Sequence, residues 1–148
     1  MLDLTGRTAV VTGASRGIGE ATARALDRHG ARVVLSGRTG ADLERVAADL
    51  RHDPVTIAFD LSAPGAGTRL AEAVLAAVDG VDIVVNNAGI PMRRTPEQLT
   101  EADVDAVFGL NVRSLLMLTV ALGPSMAARG GGSIVNVSSV AGLRGPLG

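Results

Sequence analysis

The sequence predicts a doubly wound α/β domain with a parallel sheet, and three observations carry that prediction. Short β-branched runs alternate with Ala-rich amphipathic stretches along the whole chain. The strand candidates are apolar on consecutive residues, as in "IVV" (Ile83–Val85), the pattern of strands buried on both faces. A Gly-rich turn separates the first strand from the first helix. Strand, helix and strand repeated with right-handed crossovers give this architecture.

In chain order, strands are expected at Thr8–Val11, Arg32–Leu35, Val55–Phe59, Val81–Val85 and Ser133–Val137. Between them lie helical stretches near Ile18–His29, Ala41–Arg51, Thr68–Val78 and Glu101–Ala128. "ARGGGS" (Ala128–Ser133) stops the last helix, with Gly130 available for a left-handed cap. The core must be aliphatic, because the chain has two Phe, no Trp and no Tyr. Fourteen basic residues against fifteen acidic ones argue against a nucleic-acid surface or a polybasic membrane contact. The absence of Cys excludes disulfides, thiol catalysis and thiolate metal sites, and it fits a cytoplasmic setting. The N-terminus reads as no signal peptide, and no apolar run approaches the ~20 residues of a membrane helix.

The turn "TGASRGIG" (Thr12–Gly19) opens the first helix. Gly13 permits a sharp turn, Gly17 a close approach of ligand to backbone, and Gly19 the packing of helix on strand. With Ser15 and Ile18 between them, the exposed N–H groups form a Rossmann-type site for a pyrophosphate, although packing alone could also explain the glycines. An NAD site usually carries an acidic residue about 20 residues further on. Here "VVLSGR" (Val33–Arg38) carries Gly37 and Arg38 instead. Arg38, and Arg16 inside the turn, are suited to clamp a 2′-phosphate; the alternative is that both are solvated surface charge.

Further along, "NNAG" (Asn86–Gly89) stands at the mouth of the fourth strand, where open α/β sheets bind ligands, or marks a turn only. Val104, Val107, Phe108, Leu115, Leu118 and Leu122 form an apolar stripe, and Asn111 falls within it. A buried amide without partners costs about 1–3 kcal/mol, so Asn111 requires a structural partner, a helix irregularity or a functional role. Ser138 and Ser139 end the fifth strand and either cap backbone groups or serve a site.

Taken together, these residues resemble the short-chain dehydrogenase/reductase family in its compact form. The spacing T-G-x-x-x-G-I-G begins the resemblance. The family further implies an Asp after the third strand, N-N-A-G after the fourth, an Asn in the long helix and a Ser after the fifth strand. Asp60 (followed by Leu61), Asn86–Gly89, Asn111 and Ser139 supply them in order. The resemblance implies that Asp60 holds the adenine amino group, Asn87 tethers neighbouring strands, and Ala88 and Gly89 lie beside the cofactor ribose. Asn111 would order a water that feeds a proton relay. The family's Ser directly precedes an apolar-x-Gly run, here Val140–Gly142, which selects Ser139 as donor to the substrate carbonyl oxygen. With both basic positions present, NADP(H) is favoured over NAD(H).

The family's Tyr-x-x-x-Lys would begin about thirteen residues past Ser139, beyond Gly148. The expectation is a five-stranded Rossmann-type sheet in the order 3-2-1-4-5, without the family's C-terminal strands and helices and with the fifth strand a bare edge. Residues 1–148 then read as the NADP(H)-binding portion of a longer single-domain enzyme, inactive alone. The complete protein would move hydride between NADP(H) and a small-molecule carbonyl or secondary alcohol, as a homodimer or homotetramer built on the long helix. No metal, nucleic-acid or membrane partner is expected. The alternative is a non-catalytic dinucleotide-binding or assembly module. A carrier-linked ketoreductase and a small-alcohol or sugar dehydrogenase fit equally, because fold does not choose substrate. His29 and His52 read as solvated bystanders, and Arg93 and Arg94 as surface charge or as contacts to an acidic substrate.

Overall fold

The computed structural model describes residues 2–140. Its elements are β1 (Thr8–Thr12), α1 (Gly17–Arg28), β2 (Arg32–Gly37), α2 (Gly40–Ala47), β3 (Val55–Ala58), α3 (Ala66–Ala77) and β4 (Ile83–Asn86). After a short 3-10 turn at Pro96–Gln98 follow α4 (Glu101–Phe108), a π-helical turn (Gly109–Ser114), α5 (Leu115–Ala128) and β5 (Ser133–Asn136). The strands form one parallel sheet in the order β3-β2-β1-β4-β5, as the sequence predicts.

Alternation along the central strands divides the core between the two faces. Val10, Val34 and Val84 face Leu70 and Val74 of α3 and Leu118 and Leu122 of α5. Val11, Leu35 and Val85 face Ala23 of α1 and Leu43 and Val46 of α2. The close contact of α3 with the long helix depends on Gly67, where a Cβ would overlap the Ser114 carbonyl oxygen.

Two elements differ from expectation for identifiable reasons. Helix α2 ends at Ala47 rather than Arg51. The buried Asp27 carboxylate accepts from the N–H groups of Arg51 (2.9 Å) and His52 (3.0 Å), which holds that segment to the end of α1. His52 also contacts Asp27 through Nδ1 at 3.0 Å, while its side chain stays exposed and away from the cavity at the Gly-rich turn. The long helix is interrupted at Gly109–Ser114, where the one Ser114 hydroxyl proton is shared between Leu61 O at 2.6 Å and Gly109 O at 2.9 Å. Residues Glu101–Ala128 nevertheless run as 28 continuous helical residues, within which an 18-residue window reaches a mean hydropathy of 1.6. By length and composition alone that helix is long and apolar enough to cross a membrane, a test that core helices of soluble proteins also pass; Asp103, Asp105, Asn111 and Arg113 interrupt its apolar character, so it holds no apolar run of ~20 residues.

At the opposite end of the sheet from the Gly-rich turn, buried Asp82 accepts from Arg7 Nη1 (2.9 Å) and the Thr8 N–H (2.9 Å) and lies 3.0 Å from Arg129 Nη2. Burial pushes its carboxyl up, but the bonds from Arg129, Thr8 and Arg7 outweigh burial and leave it below its ordinary value. A folded-state pKa below the unfolded one stabilises the fold above the carboxylate range, and that contribution is lost as pH falls through the folded value. Asp82→Asn is therefore expected to cost about 2 kcal/mol at pH 7, discounted because the arginines are partly in water. Urea unfolding at pH 7 and pH 3 checks this, since the variant should lose less stability than the wild type on acidification.

Candidate functional site

The carboxyl ends of β1, β2 and β4 open onto a cavity of about 500 Å³. Its floor is made by the Gly-rich turn, where Gly13 (φ 64°) and Gly17 (φ 58°) adopt the left-handed conformation that a side chain resists. Helix α1 starts at Gly17, and its N-cap Arg16 contributes no side-chain hydrogen bond. The first N–H groups of α1 are thus left without a side-chain cap, an arrangement that favours an anion. A Cβ on Gly17 would meet nothing within 4 Å, so the turn leaves a cradle above it.

The turn is bound to the NNAG segment from below. Asn87 Nδ2 donates to Thr12 O (3.0 Å) and Gly13 O (3.1 Å). Thr12 Oγ1 accepts from the N–H groups of Asn87 and Ala88, both at 3.0 Å, and donates to Val85 O at 3.3 Å. Thr12 is a structural hub that sequence reasoning missed; the available signal was a hydroxyl directly after three apolar residues of a fully buried strand.

Eleven of the twelve residues expected around a dinucleotide line this cavity: Gly13, Ser15, Arg16, Gly17, Ile18, Arg38, Asp60, Leu61, Asn87, Ala88 and Gly89. Gly19 lies buried against Gly13 and Asn87. Ser36, Gly37 and Phe59 also line the cavity. Among the described residues the Ser36 hydroxyl is buried there without a hydrogen-bond partner, an acceptor and donor that a polar ligand would satisfy. A nicotinamide dinucleotide fits this donor set: free helix-start N–H groups, an open glycine cradle, an orphaned hydroxyl and two rim guanidiniums.

Asp60 is exposed, and its Oδ1 accepts from the Ser62 N–H at 2.9 Å. That bond, a contact with the Ser62 side chain and the Arg38 charge keep its carboxyl below the ordinary value. Neither Asp60 nor Ser62 caps α3, whose N-cap is Gly65 in a left-handed conformation. Beside the turn, Glu20 is held between Arg45 and Arg24, whose hydrogen bonds pull its carboxyl down to about 2.

Asn111 sits in the π-helical turn and is half-buried rather than buried. Its amide is held by Ile90, whose N–H donates to Oδ1 (2.9 Å) and whose carbonyl accepts from Nδ2 (2.8 Å). One Nδ2 hydrogen and one Oδ1 lone pair remain for another partner. Phe108, expected in the buried stripe, is 57% exposed. Ser139 is exposed beyond β5. Neither Ser139 nor Asn111 lines the dinucleotide cavity; Asn111 lines a neighbouring one of about 240 Å³ with Asn86, Thr119 and Asn136. Gly142, part of the motif that selects Ser139, lies outside the described residues.

The family model for short chain dehydrogenases matches residues 7–148. The chain is 41% identical over 145 residues to nodulation protein G of Rhizobium sp., a match covering 98% of this chain and 59% of that protein. It is 35% identical over 148 residues to the ketoacyl reductase HetN of Nostoc sp., covering 98% of this chain and 52% of that protein. Among solved structures, a metagenomic short-chain oxidoreductase in complex with NADP is similar with a TM-score of 0.85 and 41% identity, over 97% of this chain and 66% of that one. The chain thus spans between half and two thirds of the length of these relatives. With the family model matched over residues 7–148 and a solved relative superposing on 97% of the chain, the chain belongs to the short-chain dehydrogenase/reductase family of oxidoreductases.

Proposed function

We propose that the whole protein is an NADP(H)-dependent oxidoreductase acting on a carbonyl or secondary alcohol, with residues 1–148 its dinucleotide-binding portion. The observation that carries this reading is the convergence of eleven expected cofactor residues on one cavity. The bound dinucleotide supplies or accepts the hydride. The N–H groups at the start of α1 hold the pyrophosphate, Arg16 and Arg38 take the 2′-phosphate, and Asp60 receives the adenine amino group. Ala88 and Gly89 form the wall beside the ribose, and the bonds of Asn87 to Thr12 and Gly13 keep that wall in register with the turn.

Ser139 donates to the substrate oxygen as negative charge develops there. Asn111 orders the relay water with the amide valences that Ile90 leaves. The general acid is a Tyr with its companion Lys, and we place both past residue 148; the chain itself contains no Tyr. Similarity to the ketoacyl reductase supports a ketone as the oxidised substrate, and the NADP complex of the metagenomic relative supports the cofactor. The exposed apolar residues Phe108, Leu116 and Val120 of the long helix support assembly of the complete protein as a homodimer or homotetramer.

Fluorescence titration of the full-length protein should show saturable binding of NADPH, tighter than that of NADH; binding of neither overturns the reading. Residues 1–148 alone should show no NADPH-dependent carbonyl reduction. Turnover above background by that segment would refute the assignment of the proton donor.

A further inference from the structure

Behind the Gly-rich turn lies an ion network that the proposed roles do not use. Glu20, in the first turn of α1, is the sole acidic residue there. It stands beside the helix start that, on the reading above, receives a pyrophosphate. An unneutralised carboxylate at that place would repel the ligand. Two guanidiniums oppose it. Arg24, one turn further along α1, donates to Glu20 Oε1 from Nε (3.1 Å) and Nη2 (2.9 Å), and also reaches Asp49 at 2.8 Å.

Arg45 approaches from α2. Its Nη2 donates to Glu20 Oε2 at 3.0 Å and to the backbone carbonyl of Ser15 at 2.8 Å, while Nη1 lies 3.3 Å from Glu20 Oε1. Ser15 is inside the turn, two residues before Gly17. A single side chain therefore ties three parts together: the turn through its backbone, the helix it opens through Glu20, and α2 through its own Cα. Gly37, at the end of β2, lies against the same place, since a Cβ there would meet Ser15 and Leu43 of α2.

We infer that Arg45 is a positioning residue for the dinucleotide site: it fixes the Gly-rich turn through Ser15 and, with Arg24, cancels the Glu20 charge beside the anion-binding helix start. This rests on the cofactor reading above for its ligand, but the tether itself does not. Because the pyrophosphate is common to both dinucleotides, loss of Arg45 should weaken NADPH and NADH alike. That separates its role from that of Arg16 and Arg38, which are proposed to read only the 2′-phosphate.

The test compares the full-length protein with Arg45→Ala, Arg45→Lys and the double variant Glu20→Gln, Arg45→Ala. Arg45→Ala is expected to weaken both dinucleotides about tenfold, raising the KM for NADPH with kcat at saturation unchanged. Arg45→Lys should retain part of the affinity, and the added Glu20→Gln should restore part of it by removing the exposed charge. Hydrogen exchange of the turn amides in the nucleotide-free protein should be faster in Arg45→Ala, with the melting temperature little changed because Arg45 is exposed. Unchanged exchange, unchanged affinity, or loss of NADPH affinity alone each overturns the inference. If the wild type binds neither dinucleotide, the cofactor reading falls, and the exchange measurement still decides whether the tether exists.

Discussion

Gly19→Ala is expected to destabilise the protein by about 4 kcal/mol, toward the upper end of single-substitution losses, and to abolish dinucleotide binding. The reason is steric and lies in backbone, which cannot rotate away. A Cβ on Gly19 would overlap the Gly13 carbonyl oxygen and come within 2.6 Å of Asn87 Nδ2. Those same two groups are hydrogen-bonded to each other at 3.1 Å. Relief would require α1 to move off β1, or the Asn87 amide to leave Gly13, and either movement opens the floor of the cavity. Gly17 provides the contrast. It has the left-handed φ of 58° but open space at its Cβ position, so Gly17→Ala should cost only the conformational strain of about 1–2 kcal/mol. Urea unfolding monitored by circular dichroism ranks the two directly, and at this chain length the Gly19 loss corresponds to roughly 10 °C in melting temperature. A Gly19→Ala protein of wild-type stability would mean that the close packing of the turn on Asn87 contributes nothing.

The sheet was legible in the sequence because the signals that define it are local. Consecutive apolar residues in β1, β2 and β4 have only one stable use, burial between two helical layers. The Gly-rich turn was equally legible, since its glycines mark backbone conformations and close approaches. Other features depend on partners far away in the chain. Asn111 was recognised as anomalous within its stripe, but its partner is the backbone of Ile90, twenty-one residues earlier, which carries no sequence signature. The π-helical turn around Asn111 winds less tightly than an α-helix and so rotates the apolar face between α4 and α5. That rotation leaves Phe108 in solvent while Leu115 and Leu118 are buried, which a uniform helical period could not anticipate. Arg45 reads in sequence as an ordinary solvated charge on an amphipathic helix; its bond to the Ser15 carbonyl exists only because β2 carries α2 alongside the turn.

Replacing Arg16 and Arg38 together with alanine is expected to weaken NADPH binding about 100-fold while leaving NADH binding within about twofold. Each guanidinium can offer a 2′-phosphate a charge-assisted hydrogen bond, of order 1.5–3 kcal/mol where desolvated. Both side chains are exposed at the rim, so solvent screening takes the pair to the lower part of the summed range, about 3 kcal/mol or two decades. Neither arginine forms an ion pair within the fold among the described residues, so their removal breaks none; Asp60 loses the Arg38 charge nearby but keeps its bond from Ser62. The position preceding Arg38 makes the converse test possible. Gly37 has room for a Cβ if the Leu43 methyl at 3.2 Å yields slightly. Gly37→Asp in the double variant therefore sets a carboxylate where ribose hydroxyls would be read and should raise NADH affinity above that of NADPH. Equilibrium titrations of both dinucleotides at two ionic strengths separate the outcomes. Loss of NADPH affinity should be steeper at low salt, because it is the contribution of two exposed charges. Equal losses for both dinucleotides would instead locate the two arginines on the shared pyrophosphate and remove the basis for a preference for NADP(H).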